Sequence, residues 1–343
     1  MCGIVGYLSF ETNNTIIKKM LSIQNHRGPD DSGIFIEKVS DTYVHLGHNR
    51  LAIQDLSSFG HQPFISDCGN YTIVFNGEVY NFNEIREKLK KSGYSFISTS
   101  DTEVILYAYK EWGIKCLDQF IGMFAFTILD KVKSKIYLIR DRAGVKPLYY
   151  YNKDNTFIFA SELKSFHSHP NFKNELNKEV LPYYFQFGYI PAPYTIFKNT
   201  SKLEPAHYLV YDLKEKSYEI IKYWSVEECY KKEKFDKSET EILIELEKLL
   251  TNAIELRMVS DVPVGIFLSG GYDSSLVTGL LSKNKNRQIH TYTIGFKDKK
   301  YNEAEHAKII AKHFGTIHTE YYISKEEMLS KVKKLAFYYD EPF

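Results

Sequence analysis

The 343-residue sequence lacks the features that would assign it to a membrane or to nucleic acid. No apolar run approaches the roughly 18 residues of a membrane-spanning helix, and no signal-peptide core is present. Its 44 basic and 43 acidic residues create no field of one sign that would attract nucleic acid. These absences predict a soluble, cytoplasmic protein that has no nucleic-acid or membrane partner.

Cysteine is scarce and widely spaced. The four residues Cys2, Cys68, Cys116 and Cys229 form no CxxC pair. This spacing argues against a disulfide framework and against a structural zinc site. The length predicts two domains, each able to bury a core of its own.

Cys2 stands out because it directly follows Met1. A small residue at this position usually permits removal of the initiating methionine, and Cys2 would then carry both a thiol and a free α-amine. An α-amine with a pKa of roughly 7.7–8.0 is a suitable base for the thiol, as in an N-terminal nucleophile. From position alone, a buried cysteine next to a first strand at residues 3–8 is an equally good interpretation.

Residues 1 to 165 have the pattern of a β-rich domain. Short apolar stretches lie between turn residues, and two segments, near 82–92 and from Asp101 onward, have helical spacing. The simplest architecture is two layers of strands with helices outside. The predicted strands include residues 71–75, 123–129, 136–139 and 157–160.

The pattern changes after residue 206. A strand pair at 208–211 and 218–223 leads into a polar, charged stretch at 227–237. We assign residues 1–215 to the first domain, 216–237 to a linker and 238–343 to the second domain. From about residue 263, strands and helices alternate as βαβαβα, which is typical of a parallel sheet with crossover helices. Capping boxes at Ser238 and Ser324 predict the starts of two helices.

A glycine-rich turn, Ser269-Gly270-Gly271-Tyr272-Asp273-Ser274-Ser275, joins a predicted strand to a predicted helix. Its backbone N–H groups, hydroxyls and helix N-terminus indicate an anion site. It lacks the lysine of a Walker A loop. An ordinary βα turn would explain the glycines but not the whole run.

Three further segments are ambiguous when taken singly. Asn76-Gly77-Glu78 resembles an oxyanion donor pair, although Asn-Gly is more often a hairpin turn. Arg50 is a candidate clamp for a carboxylate, and Asp101 for an ammonium group. For either residue alone, a surface ion pair is the simpler interpretation.

Their order along the chain resolves this ambiguity. Nine segments occur in sequence: Cys2-Gly3-Ile4, His26-Arg27-Gly28-Pro29-Asp30, Arg50-Leu51-Ala52-Ile53, Asn76-Gly77-Glu78, Ser100-Asp101-Thr102-Glu103, Gly122-Met123-Phe124-Ala125-Phe126, Arg140-Asp141-Arg142, Lys146-Pro147-Leu148-Tyr149-Tyr150 and Ala160-Ser161-Glu162. This set resembles the class II glutamine amidotransferase domain, and the later glycine-rich turn resembles the PP-loop of ATP pyrophosphatases. Together they resemble the glutamine-hydrolysing asparagine synthetase family over essentially the whole chain.

The resemblance implies an N-terminal-nucleophile fold, an αββα sandwich, followed by an α/β PP-loop domain. It implies that Cys2 attacks the glutamine side-chain amide while Asn76 and Gly77 stabilise the oxyanion. The implied glutamine-binding residues are Arg50, Leu51, Ile53, Asn76, Gly77, Glu78 and Asp101. Arg50 would hold the α-carboxylate, and Asp101 with Glu78 the α-ammonium group.

For the second domain the resemblance implies ATP with Mg²⁺, Asp273 being a possible ligand of the metal. The implied ATP-binding residues are Phe267, Ser269, Gly270, Gly271, Asp273, Ser274 and Ile294. Ammonia would attack β-aspartyl-AMP and give asparagine, AMP and pyrophosphate. A homodimer would be usual for the family.

Three alternatives stay open from the sequence. Relatives of this kind continue with a second glycine-rich segment, so a chain ending at Phe343 is expected to be truncated. The acceptor is then open: aspartate, or another carboxylate such as a sugar acid or a secondary-metabolite precursor. A form that retains only glutaminase activity, or only nucleotide sensing, is the third possibility.

Overall fold

The computed structural model describes residues 1–283 and 288–343, which divide into two compact units. The first unit consists of Met1–Lys232 and Tyr339–Phe343, and the second of Glu233–Tyr338. Within the described residues, no helix has the length and apolar character needed to cross a membrane. Each unit is described in turn.

The first unit is built from two six-stranded sheets. Its strands are β1 (Gly3–Ser9), β2 (Asp31–Val39), β3 (Thr42–Arg50), β4 (Phe64–Ile65), β5 (Tyr71–Val79), β6 (Gly122–Asp130), β7 (Lys135–Arg140), β8 (Tyr149–Lys153), β9 (Thr156–Ala160), β10 (Thr200–Lys202), β11 (His207–Asp212) and β12 (Ser217–Lys222). The strand orders are β10-β8-β9-β1-β3-β2 and β12-β11-β7-β6-β5-β4. Its helices are α1 (Asn14–Ile23), α2 (Phe82–Lys91), α3 (Asp101–Trp112), α4 (Leu181–Phe187) and α5 (Val226–Tyr230).

Side-chain alternation along the strands assigns each sheet face to a different core. On β1, Ile4 and Leu8 pack in the cluster shared with the second sheet, whereas Val5 and Tyr7 pack with α1. This period of two is what a strand buried on both faces requires.

The second sheet repeats the arrangement on its own outer face, where Phe75 and other strand residues pack against α2 and α3. The predicted αββα sandwich is confirmed.

The predicted linker, residues 216–237, differs from the structure at its beginning. Residues Ser217–Lys222 form strand β12, which pairs with β11 and extends the second sheet. Tyr218 packs its ring against Tyr150 and Phe157, so this segment buries apolar surface that a linker would leave in water.

The structure also places Tyr339–Phe343 with the first unit, although the sequence assignment put these residues in the second domain. The reason is electrostatic: Asp340 pairs with Lys164, and Glu341 pairs with Lys202. Neither pairing is visible in a local sequence pattern.

The second unit alternates strands and helices as predicted. Its described elements are α6 (Glu239–Leu256), β13 (Gly265–Phe267), α7 (Tyr272–Ser282), β14 (His290–Phe296), α8 (Ala304–Phe314), β15 (Ile317–Ile323), α9 (Lys325–Val332) and α10 (Leu335–Tyr339). The three strands form a parallel sheet in the order β13-β14-β15. Both predicted capping boxes are present, Ser238 with Glu241 and Ser324 with Glu327.

Candidate functional site

Cys2 lies immediately before β1, and strand register brings it to the end of β3. Gly3 pairs with Asn49, so the chain places Cys2 beside the next residues of β3. The Cys2 Sγ lies 3.4 Å from the backbone nitrogen of Leu51, which donates to it. The Nε of Arg27 donates to the Cys2 carbonyl oxygen at 2.9 Å. The nucleophile candidate is therefore fixed on both sides by the fold.

A small cavity of about 30 Å³ opens beside the Cys2 thiol. Six of the residues predicted to bind glutamine line it: Arg50, Leu51, Ile53, Gly77, Glu78 and Asp101. The tertiary structure thus gathers residues that are up to 99 positions apart in sequence from Cys2.

Asn76 and Gly77 are neighbours in β5; Gly77 lines the Cys2 cavity, whereas Asn76 is not among its lining residues. Asn76 is 1% exposed, and among the described residues neither its side-chain Nδ2 nor its Oδ1 has a hydrogen-bond partner. An unsatisfied buried amide costs about 1–3 kcal/mol, so its presence points to a ligand that completes it. A Cβ on Gly77 would overlap the carbonyl oxygen of Met123, so the close packing of β5 on β6 requires glycine here.

Arg50 is held by the loop that follows it. Its guanidinium donates to the carbonyl oxygens of Ser57, Gln54 and Asp55. The side chain is 7% exposed and also borders the Cys2 cavity. Arginine in this position presents fixed positive charge to an anionic group such as an α-carboxylate.

Glu78 and Asp101 supply the opposite charge in the same cavity. The Asp101 carboxylate accepts from the backbone N–H of Val79 at 2.9 Å, and Glu78 accepts from the Gln54 side-chain amide at 2.5 Å. Burial raises the pKa of both carboxyl groups, and the neighbouring Asp101 charge raises the pKa of Glu78 further. A cationic ligand would relieve this repulsion, as an α-ammonium group would.

Burial also governs the thiol and the amine beside it. Desolvation raises the pKa of the Cys2 thiol above its ordinary value, and desolvation lowers the pKa of the terminal amine of Met1. At neutral pH the thiol therefore stays protonated, and it needs a base in contact to become a nucleophile.

The glycine-rich turn of the second unit links β13 to α7. Gly270 adopts a φ of +85°, where a side chain would be strained, and a Cβ there would crowd His306 at 2.9 Å. The Ser269 and Ser274 hydroxyls lie 3.1 Å apart, and the Gly271 N–H donates to the Ser269 Oγ at 3.3 Å. The turn is exposed and ends at the N-terminus of an 11-residue helix. Hydroxyls and backbone N–H groups arranged in this way suit a phosphate chain.

The other predicted nucleotide residues lie on the strands beside this turn. Phe267 is the last residue of β13 and is 79% exposed, and Ile294 of β14 is 53% exposed. Asp273 lies in the first turn of α7 and is exposed. Phe267 and the turn that follows it lie at the carboxyl end of β13, the end of a parallel strand at which open α/β sheets bind ligands.

Two family models match separate parts of the chain. The glutamine amidotransferase domain family matches residues 1–224, and the asparagine synthase family matches residues 245–343. A putative glutamine-hydrolysing asparagine synthetase of Methanocaldococcus jannaschii is 42% identical, over all of this chain and 69% of that protein.

The chain belongs to the glutamine-hydrolysing asparagine synthetase family.

Other relatives extend the comparison. A Bacillus subtilis asparagine synthetase is 34% identical over the whole chain and 57% of its own length. A Gibberella zeae protein named amidase chry2 is 35% identical over 82% of this chain and 43% of its own length. The chain thus spans between about two fifths and two thirds of these relatives.

A solved structure supports the fold independently of sequence. The structure described as the allosteric regulatory enzyme of purine biosynthesis superimposes with a TM-score of 0.51 at 14% identity. The superposition covers 96% of this chain and 91% of the solved structure's chain. At this identity the likeness concerns the fold alone.

The resemblance to the synthetase family implies Mg²⁺, for which the described residues offer few protein ligands. Among residues 1–283 and 288–343, no group of three His, Cys, Asp or Glu side chains could hold a metal ion. The exposed Asp273 carboxylate beside the turn fits the mode in which Mg²⁺ is held by one carboxylate together with phosphate oxygens.

Two contributors to the Cys2 site were not assigned a role from sequence. The Gln54 side-chain amide donates to Glu78, and the Gln54 backbone carbonyl oxygen accepts from the Arg50 guanidinium. Arg27 was named only within the motif 26–30, yet it is 8% exposed and donates to the Cys2 carbonyl oxygen. A buried arginine needs a partner, but the sequence does not say where that partner lies.

Proposed function

We propose that the chain hydrolyses glutamine at Cys2 and directs the ammonia to a carboxylate that ATP activates at the turn 269–275. Aspartate is the favoured acceptor, so the product is asparagine. The observation that carries the proposal is the Cys2 cavity, where an arginine and two carboxyls of raised pKa lie beside one thiol. The unsatisfied buried amide belongs to Asn76, the residue before the cavity-lining Gly77.

The first half-reaction uses the residues of that cavity. After removal of Met1, the Cys2 amine accepts the thiol proton, directly or through a water, and the sulfur attacks the glutamine side-chain carbonyl carbon. Asn76 Nδ2 and the Gly77 N–H stabilise the oxyanion, which offers the amide the partner that it lacks. The C–N bond then breaks, the proton passes to the leaving nitrogen, and ammonia departs. Water hydrolyses the remaining thioester to glutamate.

The second half-reaction uses the turn of the other unit. A carboxylate oxygen of the acceptor attacks the α-phosphorus of ATP, and pyrophosphate leaves. Ser269, Ser274 and the N–H groups at the α7 N-terminus bind the pyrophosphate oxygens, while Mg²⁺ held with Asp273 would neutralise their charge. Ammonia attacks the acyl carbon and AMP leaves, which gives the amide.

Transfer of ¹⁵N from amide-labelled glutamine tests the proposal. With ATP, Mg²⁺ and aspartate, the protein in its natural length should give labelled asparagine. The variant Cys2→Ala should abolish glutamine hydrolysis, and Cys68→Ala, at an exposed cysteine, should not. Glutamine hydrolysis that survives Cys2→Ala would contradict the assigned nucleophile.

A different acceptor is the second candidate, because a relative with 35% identity over 82% of the chain is named an amidase rather than an asparagine synthetase. Release of AMP and pyrophosphate only when another carboxylate replaces aspartate would support it. Glutamine hydrolysis with no acceptor-dependent use of ATP would instead indicate a glutaminase or a nucleotide sensor. The homodimer stays a prediction, which sedimentation would test.

A further inference from the structure

The chain returns to the first unit in its last five residues, and two buried ion pairs fix it there. Asp340 pairs through Oδ1 with the Lys164 Nζ at 3.0 Å, and its Oδ2 accepts from the Lys164 backbone N–H at 3.3 Å. Glu341 pairs with Lys202 at 2.7 Å and accepts from the Ile196 N–H at 2.8 Å. Both carboxyl side chains are 8% exposed.

Only the first of these pairs continues toward the nucleophile. Lys164 also pairs with Glu162 at 2.7 Å, and Glu162 pairs with Arg27 at 3.0 Å. Arg27 in turn donates to the Cys2 carbonyl oxygen at 2.9 Å. Four contacts therefore connect Asp340 to the backbone of Cys2.

Arg27 depends on this chain for its orientation. Its Nη2 is buried and, among the described residues, has no hydrogen-bond partner, so Nη1 and Nε make the contacts with Glu162 and Cys2. Burial would raise the pKa of Glu162, but hydrogen bonds from Lys164 and Arg27 outweigh it and hold that pKa below its usual range. Glu162 is thus ionised, and its place between two cations is set by both of them.

Charge balance makes Asp340 part of the arrangement. Arg27 and Lys164 carry two positive charges, and Glu162 and Asp340 carry two negative charges, all on side chains at most 10% exposed. Without the Asp340 charge, Lys164 is drawn more strongly to Glu162, which weakens the hold of Glu162 on Arg27. His26 also contacts Glu162, at 3.1 Å, and would compete for the same oxygen atom.

We propose that Asp340 is a positioning residue for glutamine hydrolysis, because it fixes the backbone of Cys2 through Lys164, Glu162 and Arg27. The inference rests on the proposed function of Cys2. It assigns the segment Tyr339–Phe343 to the glutaminase machinery, although Glu233–Tyr338 separates it in sequence from the rest of that unit.

The test compares Asp340→Asn with Glu341→Gln in the full chain. Asparagine keeps the shape of the side chain and tolerates the positive φ of 62° at this position. Glu341 is a matched control because its partner Lys202 donates to the Ile190 carbonyl oxygen and not toward Arg27. We expect Asp340→Asn to lower kcat for glutamine hydrolysis by about ten- to a hundredfold with KM changed less than threefold. Glu341→Gln should change kcat less than twofold.

A second measurement does not require glutamine. The rate at which iodoacetamide alkylates the Cys2 thiol should differ several-fold between Asp340→Asn and Glu341→Gln. Mass spectrometry of the Cys2 peptide measures this rate. Lys164→Met should reproduce the effect of Asp340→Asn, and the double variant should be no worse than Lys164→Met alone. The unfolding midpoints of Asp340→Asn and Glu341→Gln should match.

Equal kcat values and equal alkylation rates in the two variants would overturn the inference, as would a change confined to KM. If the unaltered protein does not hydrolyse glutamine, the proposed function fails. The alkylation comparison then still decides whether Asp340 acts on Cys2.

Discussion

The two units differ in how much apolar surface supports their candidate sites. In the first, three clusters of buried side chains surround the two sheets, and the Cys2 cavity lies against them. In the described part of the second, the buried cluster consists of Leu268, Ala307 and Ala311, with Ile310 packed against it. Large apolar residues such as Leu249 on α6 and Phe267 on β13 are more than half exposed.

This difference shows two ways to hold a site. The glutamine site depends on long-range packing, since its residues come from β1, β3, β5 and α3. The phosphate-binding turn depends on local structure: two glycines, hydroxyl contacts within seven residues and the start of one helix. We therefore expect truncations in the core of the first unit to lower its stability, and mutations in the turn of the second to act on ligand binding.

The two units can be followed separately. Both tryptophans, Trp112 and Trp224, belong to the first unit, so intrinsic tryptophan fluorescence reports on that unit alone. Far-UV circular dichroism reports on the whole chain. Comparison of the two signals therefore distinguishes the first unit from the rest of the chain.

The largest effect should come from matched phenylalanine truncations. Phe126 is 1% exposed and packs its ring against Phe75, Phe120 and Phe124, so Phe126→Ala should destabilise the first unit by about 3–5 kcal/mol. Phe267→Ala, at a side chain 79% exposed, should change stability by no more than about 0.5 kcal/mol. Urea unfolding followed by fluorescence and circular dichroism measures both. Similar losses would remove the contrast between the units.

Asn76→Ala should separate catalysis from stability within the first unit. Removal of an oxyanion donor lowers kcat by about 10²–10³-fold. Because the amide has no partner to lose among the described residues, the fluorescence-detected unfolding midpoint should not fall. Asn70→Ala, at an exposed residue just before the same strand, is the control and should leave kcat unchanged. A loss of stability with kcat intact would refute the donor role.

Acid should destabilise the first unit through its buried histidines. Burial lowers the pKa of His45, His48 and His169 to about 4, whereas the unfolded value is 6.5. Between these values the unfolded chain binds more protons, so stability present above pH 6.5 is lost as the pH falls toward 4. Each histidine contributes up to about 3 kcal/mol. Urea midpoints by fluorescence at pH 7.5 and 5.0 measure this loss.

His48→Gln gives that prediction a control, because it removes one of these three histidines. The variant should lose less stability between the two pH values than the unaltered protein does. An equal loss would show that these histidines are not the groups responsible.

The smallest effect belongs to the second unit. Ser274→Ala removes one hydroxyl from the turn, and a hydrogen bond of about 0.5–1.5 kcal/mol corresponds to ATP binding weaker by about two- to tenfold. Ser282→Ala, at the far end of the same helix, should leave ATP affinity unaltered. Isothermal titration calorimetry gives both constants. Equal affinities in the two variants would argue that the turn does not bind the phosphates.

Local signals explain what was predictable. Alternating apolar residues placed β5, β6, β7 and β9, and side-chain capping placed the starts of α6 and α9. These features arise within a few residues of one another, so a sequence pattern contains them. The six cavity-lining residues were identified through an ordered set of motifs, not by any one motif alone.

Pairings between distant residues explain what was not predictable. The strand at 218–223 was predicted, but Tyr218 meets Tyr150 and Phe157 only after the two sheets have stacked, so this strand was assigned to the linker and not to the first domain. The partners of Gln54 and Arg27 lie 24 and 135 residues away, at Glu78 and Glu162. Their side chains have no periodicity that would mark such contacts.

The sequence by itself determined the alternation of strands and helices in the second unit, the two kinds of fold and the thiol at position 2, but not α1 of the first unit. Only the tertiary structure decided that Asn76 is buried without a partner, that Glu78 and Asp101 share one cavity, and that Asp340 joins the first unit. The physical reason is that burial and charge pairing belong to side chains from distant parts of the chain. Their environment exists only once the two sheets have stacked.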